Sequence, residues 1–212
     1  MSSDALCART IYYKELLRWP LPRIKSGVAS AAALGDSRAG SRVGVPNPTM
    51  KFFEDIRVGE TSDIGRHTFT AEEIKSFAAR FDPQPFHLDE AAAERSHFGR
   101  LSASGWHTAC VWMWLLVEHR RREDDARRAR GEPVATLGVS PGFRDLEWRM
   151  PVYVGDTIAY ANEVIDKRPS LSRRQWGILT ARNSGTNQHG QLVLSFISSA
   201  FVERRPRREQ AS

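Results

Sequence analysis

Cysteine is almost missing from this chain: Cys7 and Cys110 are the only two among 212 residues. One lies in a loosely patterned stretch and the other in an apolar run, so no disulfide framework is expected and a reducing, cytoplasmic setting is. Long hydrophobic runs are missing as well. The longest, ACVWMWLLV at 109–117, is far too short to cross a bilayer, and no membrane association is expected. There is no GxGxxG, no phosphate loop and no G-x-S-x-G elbow, so dinucleotide-binding and serine-hydrolase readings have no support. His97, His107 and His119 are spaced ten and twelve residues apart with no cysteine to assist them, which fits no zinc spacing. Neither a metal nor a tightly bound cofactor is expected. The formal charge of +6 is not spread over the chain: residues 51–201 hold 20 basic and 20 acidic side chains, and the excess sits at the two ends. A nucleic-acid surface needs a basic face on the folded body, so the ends read as solvated tails and no nucleic-acid partner is expected.

Residues 1–50 contain SGVASAAALGDSRAGSRVGVPNPT, a run of small residues, glycine and arginine without period. Such composition buries too little apolar surface to offset the entropy of ordering. A disordered or weakly structured extension, a targeting signal, and an upstream start preceding Met50 are all compatible with it, and ARTIYYKELLRWPLP leaves room for a short amphipathic helix. Organised sequence begins at KFFEDIRVGE. One domain is expected over 51–204, followed by a basic tail at 205–212.

Within that domain, Thr70-Ala-Glu-Glu73 has the pattern of a capping box. Ile74, Phe77, Ala78 and Phe81 then recur at helical spacing, and Pro83 ends the helix by restricting Asp82. Asp89 is placed to cap a short helix through AAAERS. WHTACVWMWLLVEHRR reads as a long helix, apolar nearly all round over 109–117 and therefore buried. REDDARRARGEP reads as a charged, solvated connection. After it, EWRMPVYVGDTIAYANEVID, RRQWGILTARN and GQLVLSFISSAFVE carry alternating β-branched and aromatic residues, with turns at Gly155-Asp156 and SGTNQHG. A buried helix followed by an antiparallel meander predicts an α+β fold with a sheet wrapped on one helix.

The stretch FDPQPFHLDE carries the sharpest chemistry. Asp82 and His87 combine a carboxylate with an imidazole able to exchange protons near neutrality, a general acid–base pair. Pro83 and Pro85 remove backbone freedom between them. Straight polyproline geometry would hold them roughly 15 Å apart, so the chain must bend for them to meet. The spacing alone equally fits an Asp82 that ends a helix and a His87 satisfied within a loop. Ser104-Gly105, at the start of the apolar helix, is the second candidate. Glycine there admits a ligand to the backbone, and free N–H groups favour developing negative charge, the loss of one such donor raising a barrier by about 3 kcal/mol. An ordinary loop-to-helix turn is the alternative.

Taken together these residues resemble the MaoC-like dehydratase family, which includes the (R)-specific enoyl-CoA hydratases. The hydratase signature Asp-x-Asn-Pro-x-His appears here as DPQPFH, with Asp82, Pro85 and His87 matching and Gln84 standing where asparagine is usual. Gly105, eighteen residues beyond His87, matches the glycine at the start of the family's central helix, and PVYVGDT at 151–157 matches a later strand-turn block. The resemblance covers about 52–203. It implies a hotdog fold, with the sheet wrapped around the helix from about Trp106 to His119, and dimerisation by joining sheet edges. It also implies an acyl thioester substrate on coenzyme A or acyl carrier protein, with no prosthetic group. His87 assisted by Asp82 would activate water, the Gly105 amide would hold the thioester oxygen, and Ser104, Gln84 and Trp106 would support or line the site. Two departures stand out. Met113 occupies the position where some hydratases place a serine, and Trp106 and His107 follow Gly105, where they should narrow or polarise the mouth. The competing readings are a hotdog thioesterase, which releases free thiol, and a non-catalytic acyl-thioester binder.

Overall fold

The computed structural model of the protein describes residues 49–206. The extension expected before them, Cys7 and the end of the basic tail lie outside the described residues.

Helix α1 (Ala71–Phe81) begins where the sequence says it should. Thr70 Oγ1 accepts from the Glu73 amide while the Glu73 carboxylate accepts from the Thr70 amide, the reciprocal capping box. Ile74, Phe77 and Ala78 form its buried face. After Asp82 the chain does not stay extended, as two prolines in four residues would lead one to expect. Pro85 opens a single helical turn, α2 (Pro85–Leu88), because a fixed φ and a missing N–H cost nothing at the first helical position. Asp89 then caps α3 (Glu90–Glu94), its carboxylate accepting from the Ala92 amide at 2.7 Å.

Helix α4 (Gly105–Ala129) is longer than the apolar pattern indicates. The segment read as a solvated connection continues it, because its charges lie at helical spacing. Arg121 pairs with Glu118 at 2.9 Å and with Asp125 at 3.3 Å, and Arg127 and Arg128 sit in the last turn, where the helix dipole favours cations. The apolar stretch is also not buried all round. Val111, Trp112, Leu115 and Leu116 face the core, whereas Met113 and Val117 are about half exposed (48% and 50%). A helix lying against one sheet can hide only the face that meets it.

That sheet has five antiparallel strands in the order β2-β5-β6-β7-β4: β2 (Thr61–Thr68), β4 (Gly142–Trp148), β5 (Thr157–Pro169), β6 (Trp176–Thr186) and β7 (Leu192–Glu203). Two short strands, β1 (Thr49–Met50) and β3 (Ala135–Thr136), pair separately. An antiparallel sheet packed on one long helix is the hotdog arrangement. β6 runs to Thr186, so the turn expected over SGTNQHG is confined to 187–190. The sheet packs Ile158, Tyr160, Leu194 and Phe196 against α4, with Trp112 edge-on to Phe196 at 4.6 Å. A bulge in β2 at Gly65, φ +127°, lets Leu115 come within 3.2 Å of where a side chain would begin.

Replacing Thr70 by alanine removes one half of the capping box and should cost about 1 kcal/mol of stability. Urea denaturation followed by tryptophan fluorescence will measure the loss, and an unchanged midpoint would contradict the role given to this cap.

Candidate functional site

The bend demanded by the sequence is supplied by α2. The Asp82 amide still donates to Ala78 at the end of α1, the Gln84 amide turns back to the Asp82 carbonyl, and the His87 amide donates to the Gln84 carbonyl. One turn of helix in place of polyproline brings the imidazole back over the carboxylate. His87 Nε2 lies 3.6 Å from Asp82 Oδ2, and His87 is only 5% exposed.

The other imidazole nitrogen fixes the tautomer. His87 Nδ1 is 2.7 Å from the carbonyl oxygen of Ser102. A carbonyl can only accept, so Nδ1 carries the proton and donates it. Nε2 of the neutral ring therefore presents a lone pair toward Asp82. Two acceptors at 3.6 Å do not bond each other directly. They can bind the two hydrogens of one water molecule.

Ser102 is held in turn by the approach of the 151–154 segment. Ser102 bridges Tyr153, the Ala103 amide donates to the Val152 carbonyl at 2.7 Å, and the Val154 amide donates to the Leu101 carbonyl. The same pairing places Ser104 at the cap of α4, where its hydroxyl oxygen accepts from the Trp106 amide at 3.2 Å. That hydroxyl also donates to the Asp82 carboxylate, and Gln84 Nε2 donates to Asp82 Oδ1 at 2.9 Å. Partial burial alone would raise the Asp82 pKa. The two donors, joined by the charge of His87 whenever that ring is protonated, outweigh it and hold the carboxyl below the usual aspartate range. Ser104 and Gln84 thus act on the carboxylate itself.

Gly105 opens α4, and its amide has no preceding turn to donate to. The indole of Trp148 lies against its Cα: a Cβ at Gly105 would fall 2.5 Å from Trp148 Cε2, so no residue but glycine fits there without displacing the ring. Asp82, His87, Ser104, Gly105, Gln84 and Trp106, every site residue expected from sequence, line one cavity of about 530 Å³. Its other walls include Phe86, Phe98, Trp148, Met150 and Val152.

His107 departs from expectation. It does not polarise the mouth but lies inside, stacked on Phe77 at 4.6 Å and edge-on to Phe69. Burial, helped by the fields of His67 and His87, pushes its pKa down to about 3, so the ring stays neutral. In an α-helix, the residue after an exposed one turns by about 100°, and here that turn carries it into the core. Met113, two turns along α4, is on the exposed side and does not line the cavity.

Three participants escaped the sequence. Ser102 acts through its backbone carbonyl, which no side-chain pattern reveals. Trp148 precedes the recognisable PVYVGDT block by three residues, and Phe98 lies in a loop. The half-polar alternation of FRDLEW, once placed beside Ser102 and Gly105, is the signal that could have found Trp148. No cluster of metal-ligating side chains occurs among the described residues.

The family of MaoC like domains matches residues 55–183. The crystal structure of a MaoC-like dehydratase from Rhodospirillum rubrum shares 38% identity and superposes with a TM-score of 0.61, over 73% of this chain and 98% of its own. Uncharacterized protein YdeM of Bacillus subtilis is 27% identical over 151 residues, which is 71% of this chain and 98% of YdeM. Mesaconyl-CoA hydratase of Cereibacter sphaeroides is 30% identical over 159 residues, 73% of this chain but only 42% of that enzyme, so this chain spans less than half of its length. The match over 55–183 takes in α1 to α4 and the strands from β2 into β6, more than half of the chain, and the protein belongs to the MaoC-like domain family.

Proposed function

We propose that the protein is a hydro-lyase that adds water reversibly to a 2-enoyl thioester carried on coenzyme A or acyl carrier protein. The observation that carries this reading is the His87 tautomer: Nδ1 is committed to the Ser102 carbonyl, which leaves Nε2 as a base facing an ionised Asp82 across 3.6 Å. One water spans that gap, giving one hydrogen to Nε2 and directing the other to Asp82. Its oxygen bonds to the β-carbon of the substrate. The π electrons move toward the α-carbon, and the thioester oxygen, now enolate-like, accepts from the Gly105 amide at the positive end of α4. The proton taken by His87 then passes to the α-carbon on the same face, so that hydroxyl and hydrogen add syn. Dehydration is the reverse. The stiff Pro83–His87 turn contributes by fixing both groups before substrate arrives.

The name of one relative, mesaconyl-CoA hydratase, supports the thioester class. A thioesterase would aim its water at the carbonyl carbon, whereas in this reading the water between Nε2 and Asp82 is delivered to the β-carbon.

Asp82→Asn and His87→Ala should each lower kcat by about 10²–10⁴, followed as loss of enoyl-thioester absorbance. Full activity in both variants, or free thiol released from saturated acyl-CoA, would contradict the reading.

Ser104→Ala removes a donor that holds the Asp82 carboxylate ionised. The Asp82 pKa, lowered in the native protein, should therefore rise toward the ordinary aspartate value. The linked stability follows the same sign. A depressed carboxyl contributes stability above its unfolded pKa and loses it as pH falls through the folded one; in Ser104→Ala that contribution should be smaller and its loss complete at a higher pH. Carbon-13 titration of the Asp82 carboxyl will show the shift; an unmoved midpoint would contradict the role of Ser104.

In the same reading the working unit is a homodimer. β4 is an edge strand that exposes Phe143 at 59%, and the exposed stripe of α4 with Trp106, Met113 and Val117 joins it through the Trp106–Trp148 contact. An unpaired strand edge that exposes a large aromatic ring needs a cover, and a second β4 supplies one of matching pattern. Sedimentation equilibrium should give twice the chain mass, reverting toward one chain in Phe143→Glu; a native protein that stays monomeric would contradict it.

A further inference from the structure

Trp148 differs from the other large indole near the core. Trp112 is 4% exposed and packs under the sheet, whereas Trp148 is 43% exposed and turns its ring into the catalytic cavity. There it rests on Gly105, with Cε2, Cδ2 and Nε1 all 2.5–2.7 Å from where a Cβ would be. Trp106 braces it edge-to-face, ring centroids 5.1 Å apart at 76°. The two rings come from different elements, the end of the edge strand β4 and the first turn of α4, and they meet at the one amide that the chemistry needs. A ring in that position contributes little to the main core. What it does is occupy space beside the point where the thioester carbonyl must dock.

We propose that the Trp148 indole, braced by Trp106, sets the upper length of the acyl group, so that the site accepts short 2-enoyl thioesters and rejects long ones. This rests on the hydro-lyase reading for its substrate class. An acyl chain whose carbonyl reaches the Gly105 amide runs next against the face of this ring. A short chain ends before it, and a longer one must displace an indole that Gly105 and Trp106 block on two sides. A pocket that refuses a methylene discriminates by about 10–200-fold, so the ring has a measurable selectivity to lose.

The test uses the full chain and two readouts. Hydration of but-2-enoyl-CoA and oct-2-enoyl-CoA is compared in the native protein, Trp148→Phe and Trp148→Ala. Binding of butyryl-CoA and octanoyl-CoA, which cannot be hydrated, is measured in parallel by calorimetry. The native protein should favour the short substrate, and the ratio of kcat/KM for long over short should rise by at least roughly tenfold in Trp148→Ala, with Trp148→Phe in between. Octanoyl-CoA affinity should rise in the same order. Thermal unfolding checks that each variant is folded, and Trp148→Phe carries the test if the alanine variant is not. An unchanged ratio, or an equal loss for both chain lengths, overturns the proposal. A native protein that hydrates nothing, yet binds the short thioester and gains the long one in Trp148→Ala, would sink the hydro-lyase reading and leave the length gate standing.

Discussion

In the proposed reading, the hydrogen bond from His87 Nδ1 to the Ser102 carbonyl is the contact on which the site depends. Without it the imidazole could turn either nitrogen toward Asp82, and a protonated Nε2 would simply bond the carboxylate and close the pair to water. With it, one nitrogen is committed to structure and the other is free for chemistry. A buried bond of this kind adds only about 0.5–1.5 kcal/mol to stability, but its effect on orientation is all-or-none. Much of the local architecture serves it. The bridge between Ser102 and Tyr153 fixes the acceptor, and the helical turn at Pro85 fixes the donor.

The carboxylate is governed by a second set of constraints that meets the first at α4. Ser104 caps that helix and donates to Asp82, so the same residue that starts the helix also keeps the acid charged. Gly105 follows directly, offering its amide at the positive end of a 25-residue helix. The sheet's part is to hold α4 in place through Trp112, Leu115 and Leu116 and to deliver Trp148 to its N-terminus from the edge strand. In the proposed reading, acid and base come from one stretch, 82–87, while the amide comes from the start of α4 and the wall from the end of β4.

What the sequence displays depends on which physics each element uses. The capping box at Thr70, the Asp89 cap and the strands β5 to β7 are legible because each rests on local chemistry or on strict alternation. The edge strands β2 and β4 are not, since TSDIGRHT turns only Ile64 inward as a large apolar residue and shifts register at its Gly65 bulge, and GFRDLEW exposes six of its seven residues. The far end of α4 is hidden for a related reason: its helix is held by ion pairs, whose spacing resembles that of a solvated charge run. In the site, side chains of reactive type were identifiable, and DPQPFH with Gly105 marked them. The bend at Pro85, the carbonyl of Ser102 and the ring of Trp148 were not, because backbone acceptors and cross-strand neighbours leave no residue-type signature. His107 was misplaced for want of the same information, namely which way α4 faces the sheet.

The central claim concerns one proton on one ring, and nitrogen-15 chemical shifts of His87 read it directly. The account predicts that the neutral ring shows a protonated Nδ1 and an unprotonated Nε2 in the native protein. A neutral His87 carrying its proton on Nε2 would contradict it, since that nitrogen could then neither take a hydrogen from water nor leave the carboxylate free to hold one.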